Sequence, residues 1–176
     1  MEPVIHFAVP FFALILAGVE LKRALPISLL ALMPDLDALF LVHRSISHSL
    51  IVVLTSAAPF LLLAHRLRRG YFSTALLGLF SVSSHLILDL FNGYTPILWP
   101  LYGYSLWVKM GLTAYIGGSL NLQSSIQILT RPIEFQRLHS LDAPIFTGES
   151  LIVSAILVVS LLVKGFMEFL RRLHRA

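Results

Sequence analysis

The run YFSTALLGLFSVSSHLILDLF, Tyr71–Phe91, decides how this chain is read. It is apolar almost throughout and close to the ~20 residues that carry a helix across a bilayer core. Yet it holds His85 and Asp89. A carboxylate near the centre of a membrane helix costs about 2.5–3.5 kcal/mol on insertion, so it turns from lipid toward partners. The i, i+4 spacing puts both side chains on one helical face, where they can share an ion, or Asp89 can orient His85. A buried hydrogen-bonded pair between helices is the plainer reading of the same spacing.

Working outward, four more apolar segments appear: Val4–Val19, Ala24–Val42, Ile46–Ala64 and Leu151–Leu170. Of all residues, 57% are hydrophobic and only 12% charged, against roughly 25% charged in a soluble domain. The expectation is an all-α integral membrane protein, a bundle of about five transmembrane helices. Residues 1–176 form one domain, with a mixed outer connection over 92–150 and the last transmembrane helix over 151–170. Basic clusters follow the first segment (Lys22, Arg23), the third (Arg66, Arg68, Arg69) and the fifth (Arg171, Arg172, Arg175). If all five segments cross, these clusters share one side, and the positive-inside rule makes it the cytoplasm. The N-terminus is then outside, the C-terminus inside, and the first segment reads as retained. Basic residues so placed orient a membrane protein, and nucleic acid is not expected as a partner. In the connection, Tyr94, Trp99, Tyr102, Tyr104 and Trp107 look like an interfacial aromatic belt. Leu112–Ile116 and Leu120–Leu129, around Gly117-Gly118, suggest a short β-hairpin.

The topology gathers potential ligands on the outer face: His6, Asp35, Asp37, His43, His48, His85 and Asp89. With no cysteine in the chain, a metal must be held by nitrogen and oxygen. In a regular α-helix Asp35 and Asp37 point to nearly opposite sides. Pro34 is placed to loosen that helix and let both turn inward; a polar break facing water is the alternative. His43 and His48, five apart, align only if a turn around Ser45 or Ser47 separates them, with Ser47 a candidate cap. Arg44 suits a developing oxyanion or a phosphate, although an ion pair with Asp37 is open to it. His139, Asp142 and Glu149 are candidates to cap the site, whereas His65 and His174 read as surface residues. GxSxG, GxxxxGK[ST] and HExxH are all missing.

The runs PDLD (Pro34–Asp37), HRSISHSL (His43–Leu50) and SHLILDLFNGYTPILWPL (Ser84–Leu101), with His6 upstream, resemble the prokaryotic membrane-bound metal-dependent hydrolases. That family includes LexA-binding, inner-membrane-associated members. The match covers roughly residues 1–101, and Ser47 stands where threonine is usual. The resemblance implies a helical membrane protein with metal-dependent hydrolase activity.

The expectation is therefore metal-assisted hydrolysis of a lipid-linked ester or phosphoester at the outer membrane interface. The expected ligands are His48, His85, Asp89, Asp37 and His6. Asp35 is the expected base, with Arg44 and His43 beside it. The donor types suit Zn²⁺, or Mn²⁺ where carboxylates dominate. A metal-ion or proton transporter is the rival reading, since intramembrane His and Asp also mark ion pathways. A non-catalytic membrane adaptor is the third.

Overall fold

The computed structural model describes residues 2–42, 44–117, 119–135, 139 and 147–173. Helix α1 (Pro3–Leu16) begins on a proline, whose missing N–H costs nothing at a first turn. After Gly18, in the left-handed region with φ 84°, the chain reverses into α2 (Leu21–Leu29). The continuation is not α-helical. Tight 3₁₀ turns span Leu30–Leu32 and Pro34–Phe40, and another spans Ile46–His48. Helix α3 (Leu50–Leu67) and helix α4 (Arg69–Asn92) then form an antiparallel pair around Arg68. Strands β1 (Tyr104–Gly117) and β2 (Ser119–Pro132) form a two-stranded antiparallel sheet. Helix α5 (Gly148–Leu173) closes the chain and packs on α1.

Two corrections follow. The fold is not all-α: the hairpin runs in unbroken register from Tyr104↔Pro132 to Gly117↔Ser119, far beyond the short one expected. Strand alternation extends through Tyr104 and Trp107, which the sequence reading had assigned to an aromatic belt. Of the five expected crossings, three described helices are long and apolar enough to span: Leu50–Leu67, Arg69–Asn92 and Gly148–Gly165. Helix α1 is shorter. The segment Ala24–Val42 is divided because Pro34 has no N–H for an α-helical ladder and Leu41 turns left-handed at φ 56°.

Inside and outside are inverted relative to a soluble protein. Phe60 and Leu62 on α3 are 70% and 66% exposed, while His48 and His85 are fully buried. That is the pattern of a protein whose outer solvent is lipid. A small apolar core, Leu14, Ala24 and Ile27 with Leu77 against it, ties α1 and α2 to α4. At this end of the molecule the Arg23 guanidinium donates to Thr74 Oγ (2.8 Å), so Lys22-Arg23 lies near the Arg66–Arg69 turn. At the other end Ser49 caps α3. Its hydroxyl accepts from Val52 N (3.3 Å) and donates to the Trp99 carbonyl. Leu50 N donates to Ile97 O (2.9 Å), pinning the connection over the start of α3.

Candidate metal centre

Asp35, His48, His85 and Asp89 each turn a ligand atom into one place, all within 4.8 Å of one another. Three pieces of chain build it. The 3₁₀ turn Pro34–Phe40 brings Asp35, the turn Ile46–His48 brings His48, and the last turns of α4 bring His85 and Asp89. His6, on α1, stacks its ring on His85 with centroids 4.1 Å apart.

The donor atoms are close enough together to share one ion. His48 Nε2 lies 3.3 Å from His85 Nε2, 3.5 Å from Asp35 Oδ1 and 3.3 Å from Asp89 Oδ2. His85 Nε2 lies 3.6 Å from Asp35 Oδ1 and 3.7 Å from Asp89 Oδ2. Bonds of ~2.0–2.2 Å to a tetrahedral ion separate its donors by ~3.3–3.6 Å; four of these five spacings fall in that range, and His85–Asp89 lies just beyond it. Both Asp35 oxygens and Asp89 Oδ2 are buried without a hydrogen-bond partner. Two carboxylates facing one dry hole are costly unless a cation joins them. The donor set fits a divalent metal.

The support behind the donors is as ordered as the donors. Asp37, expected among the ligands, lies behind His48 instead: Oδ2 is 3.2 Å from Nδ1, the opposite ring nitrogen. A carboxylate there favours a proton on Nδ1 and leaves the Nε2 lone pair for an ion. Asp37 is itself held by Ser45 N (2.8 Å) and Ser47 Oγ (3.2 Å), and Ser47 Oγ also reaches the Pro34 carbonyl (3.0 Å). Burial works against charge on His48, but Asp35, Asp37 and Asp89 surround it and push its pKa up to about 10. At Asp37 burial is likewise overcome, by His48 and the Ser45 N–H, and the carboxyl stays below its usual range.

Arg44 has no bond to Asp37 among its described contacts. It donates from Nη2 to Asp89 Oδ1 (3.1 Å) and from Nη1 to the Tyr94 carbonyl (3.1 Å). Its backbone is left-handed, φ 56°, which costs a non-glycine residue roughly 1–2 kcal/mol. The guanidinium passes so close to Gly93 that a Cβ there would lie 2.4 Å from Nη1. His6 presents Nε2 to Asp89 Oδ1 at 3.4 Å, its Nδ1 turned to the Glu2 carbonyl (3.0 Å). His6 and Asp37 thus flank the four-residue group without belonging to it.

His43, Asp142 and His174 lie outside the described residues. His139 and His65 are exposed and, like Glu149, are not among the four clustered residues. Sequence reasoning passed over Gly93 and the Tyr94 carbonyl, and saw Ser45 only as part of a turn. The glycine directly after the His85–Asp89 helix was the available signal for Arg44's path.

A family model described as YdjM inner membrane protein matches residues 1–168. The chain belongs to that family. Membership in the YdjM family places the protein in an inner membrane, in keeping with the apolar helices. The YdjM match reaches past the motif-bearing residues 1–101 to take in the hairpin and most of α5. No curated protein and no solved structure matches the chain.

Proposed function

We propose that this protein is a membrane-bound hydrolase that depends on a divalent cation and acts on a lipid-linked ester or phosphoester. The observation that carries the reading is the convergence of two buried imidazoles with two carboxylates, whose Asp35 and Asp89 oxygens lack hydrogen-bond partners, in a membrane protein. His48, His85 and Asp89 would hold the ion, leaving a position open beside Asp35. Two imidazoles with carboxylates suit Zn²⁺, and Mn²⁺ is the second choice. When bound, such a cation supplies Lewis-acid chemistry, acidifying water and polarising the scissile oxygen.

The chain's own groups divide the remaining work. Asp35, whose side chain at 12% exposure is less buried than those of His48, His85 and Asp89, holds the proton taken from the attacking water. Asp37 fixes the His48 ring. Arg44 orients Asp89 and keeps a positive charge beside the reacting centre. A cavity of about 720 Å³ lies between α3 and α4, with apolar walls that include Val52, Phe60 and Leu79. Pro34 and Ser47 in its lining are chain neighbours of Asp35 and His48. Room for a hydrocarbon chain beside the donors supports a lipid-linked substrate.

The cluster sits at one end of α3 and α4, opposite the Arg66–Arg69 turn. A transporter would put its acids near the midplane with access from both sides, so placement favours the hydrolase. With the arginine turn in the cytoplasm, the cluster and the N-terminus face outward and α5 ends inside.

The test is metal analysis of purified protein with a screen of lipid esters and phosphoesters. His48→Ala and His85→Ala are expected to lose the ion. Asp35→Asn is expected to keep it and lose at least 10²-fold in turnover, the scale of one general acid–base group. Full metal in both histidine variants, or metal-loaded protein inert on every such substrate, would sink the reading.

A further inference from the structure

The hairpin is two-faced. Residues directly opposite across an antiparallel pair share a side of the sheet, so the register sorts the side chains. One face carries Val108 with Ile128, Met110 with Ile126, and Ala114 with Leu122, interrupted by Leu112 opposite Ser124. The other carries Lys109 with Gln127, Gly111 with Ser125 and Thr113 with Gln123, and toward the base Ser105 with Arg131 and one apolar pair, Trp107 with Leu129. On the apolar face Met110, Leu112, Leu122, Ile126 and Ile128 are 62–73% exposed. Strands of this length extend roughly 45 Å at ~3.3 Å per residue. So long an apolar strip does not stand in water without a partner.

We propose that the hairpin is an interfacial anchor whose apolar face rests on the surface of the bilayer that α3 and α4 cross. At its base the apolar face runs into the membrane helices: Leu106 and Ile128 share a cavity of about 560 Å³ with Ile51, Leu98 and Leu101. Ile51 belongs to the first turn of α3. Tyr94, Trp99, Tyr102 and Tyr104 lie around the same junction, with Tyr94 edge-on to Trp107 and Tyr102 against Tyr104. Clustered tyrosine and tryptophan mark the headgroup level. The backbone fixes the depth. A two-stranded ribbon has two open edges, and each unpaired N–H or C=O in hydrocarbon costs several kcal/mol. At the interface water reaches those edges and the face bearing Lys109 and Gln127, while lipid takes the other. This surface is independent of the hydrolase reading.

The chain has no cysteine, so single cysteines can be placed freely. Nitroxide labels at Met110→Cys and Ile126→Cys, and at Thr113→Cys and Gln127→Cys, would be read in proteoliposomes with oxygen and a water-soluble nickel chelate. At 110 and 126 the oxygen effect is expected to exceed the nickel effect several-fold, with the order reversed at 113 and 127. The polar-face labels sit on the same strands and report whether the hairpin is folded. Equal nickel access on both faces would overturn the proposal. So would protection of 110 and 126 from both reagents with spin–spin broadening, because a second copy would then cover the face.

Discussion

His48 shows what a single side chain contributes here. Asp37 grips one ring nitrogen while Asp35, His85 and Asp89 surround the other. Asp37→Asn keeps an acceptor but removes the charge behind the ring, and metal affinity is expected to fall 10–100-fold, as outer-shell changes do. Competitive chelator titration measures it; unchanged affinity would remove Asp37 from that role. Since the His48 pKa rises from 6.5 to about 10 on folding, the metal-free protein carries this proton at neutral pH. A cation must displace it, so binding is expected to release a proton at pH 7 and to weaken as pH falls. Calorimetry in buffers of different ionisation enthalpy reads that proton. Sign matters for the empty protein too. The raised value stabilises it fully below about 6.5, and the contribution fades as pH climbs to about 10. At Gly93 an added methyl collides with Arg44 Nη1, whereas at Gly70 nothing lies within 4 Å. Gly93→Ala is expected to cost roughly 1–3 kcal/mol by overpacking, and Gly70→Ala close to nothing. Equal melting temperatures for the two would show that Arg44 is not held as described.

At the scale of elements, the legible parts of the sequence were those that obey a regular period. His85 and Asp89 read correctly as one face because α4 is a regular helix through both. Asp35 and Asp37 read in part: Pro34 marked the place where 3.6-residue periodicity fails and both acids can turn inward, and a 3₁₀ turn opens there. The tighter winding turns both toward His48, one to each ring nitrogen, a division of roles that spacing alone does not give. The hairpin was recognised at its glycine turn and lost toward its base, where aromatic residues serve strand and interface alike. Ser49 illustrates a junction that sequence does not show, capping α3 while bonding the Trp99 carbonyl from a segment fifty residues away. Ser49→Ala is expected to destabilise by about 1–2 kcal/mol through the lost cap. Ser56→Ala, on an exposed hydroxyl bonded within its own helix, is expected to change little. A silent Ser49→Ala would mean that the connection is held elsewhere.

For the whole molecule, two of the basic clusters meet although the count of crossings that first organised them is smaller. Five spans were expected and the second is broken, yet Arg23 still meets Thr74 near the Arg66–Arg69 turn. Arg23 and the Arg66–Arg69 turn lie at one end and the metal-type donors at the other. That arrangement predicts labelling by an impermeant thiol reagent at Gln127→Cys and protection at Gly70→Cys in intact cells with a permeable outer envelope. The reverse result would place the centre on the cytoplasmic side.

The donors of the centre are spread from Asp35 to Asp89 at the end of α4, which makes chain order matter during synthesis. His6, Asp35, Asp37 and His48 leave the ribosome before His85 and Asp89 exist. Until α4 arrives, two acids stand at the membrane with no cation site to answer them. Entry of α4 supplies the last two donors, and with Asp89 the partner of Arg44. Completion of the site thus waits on α4, and a chain stalled before residue 85 holds only half of the centre.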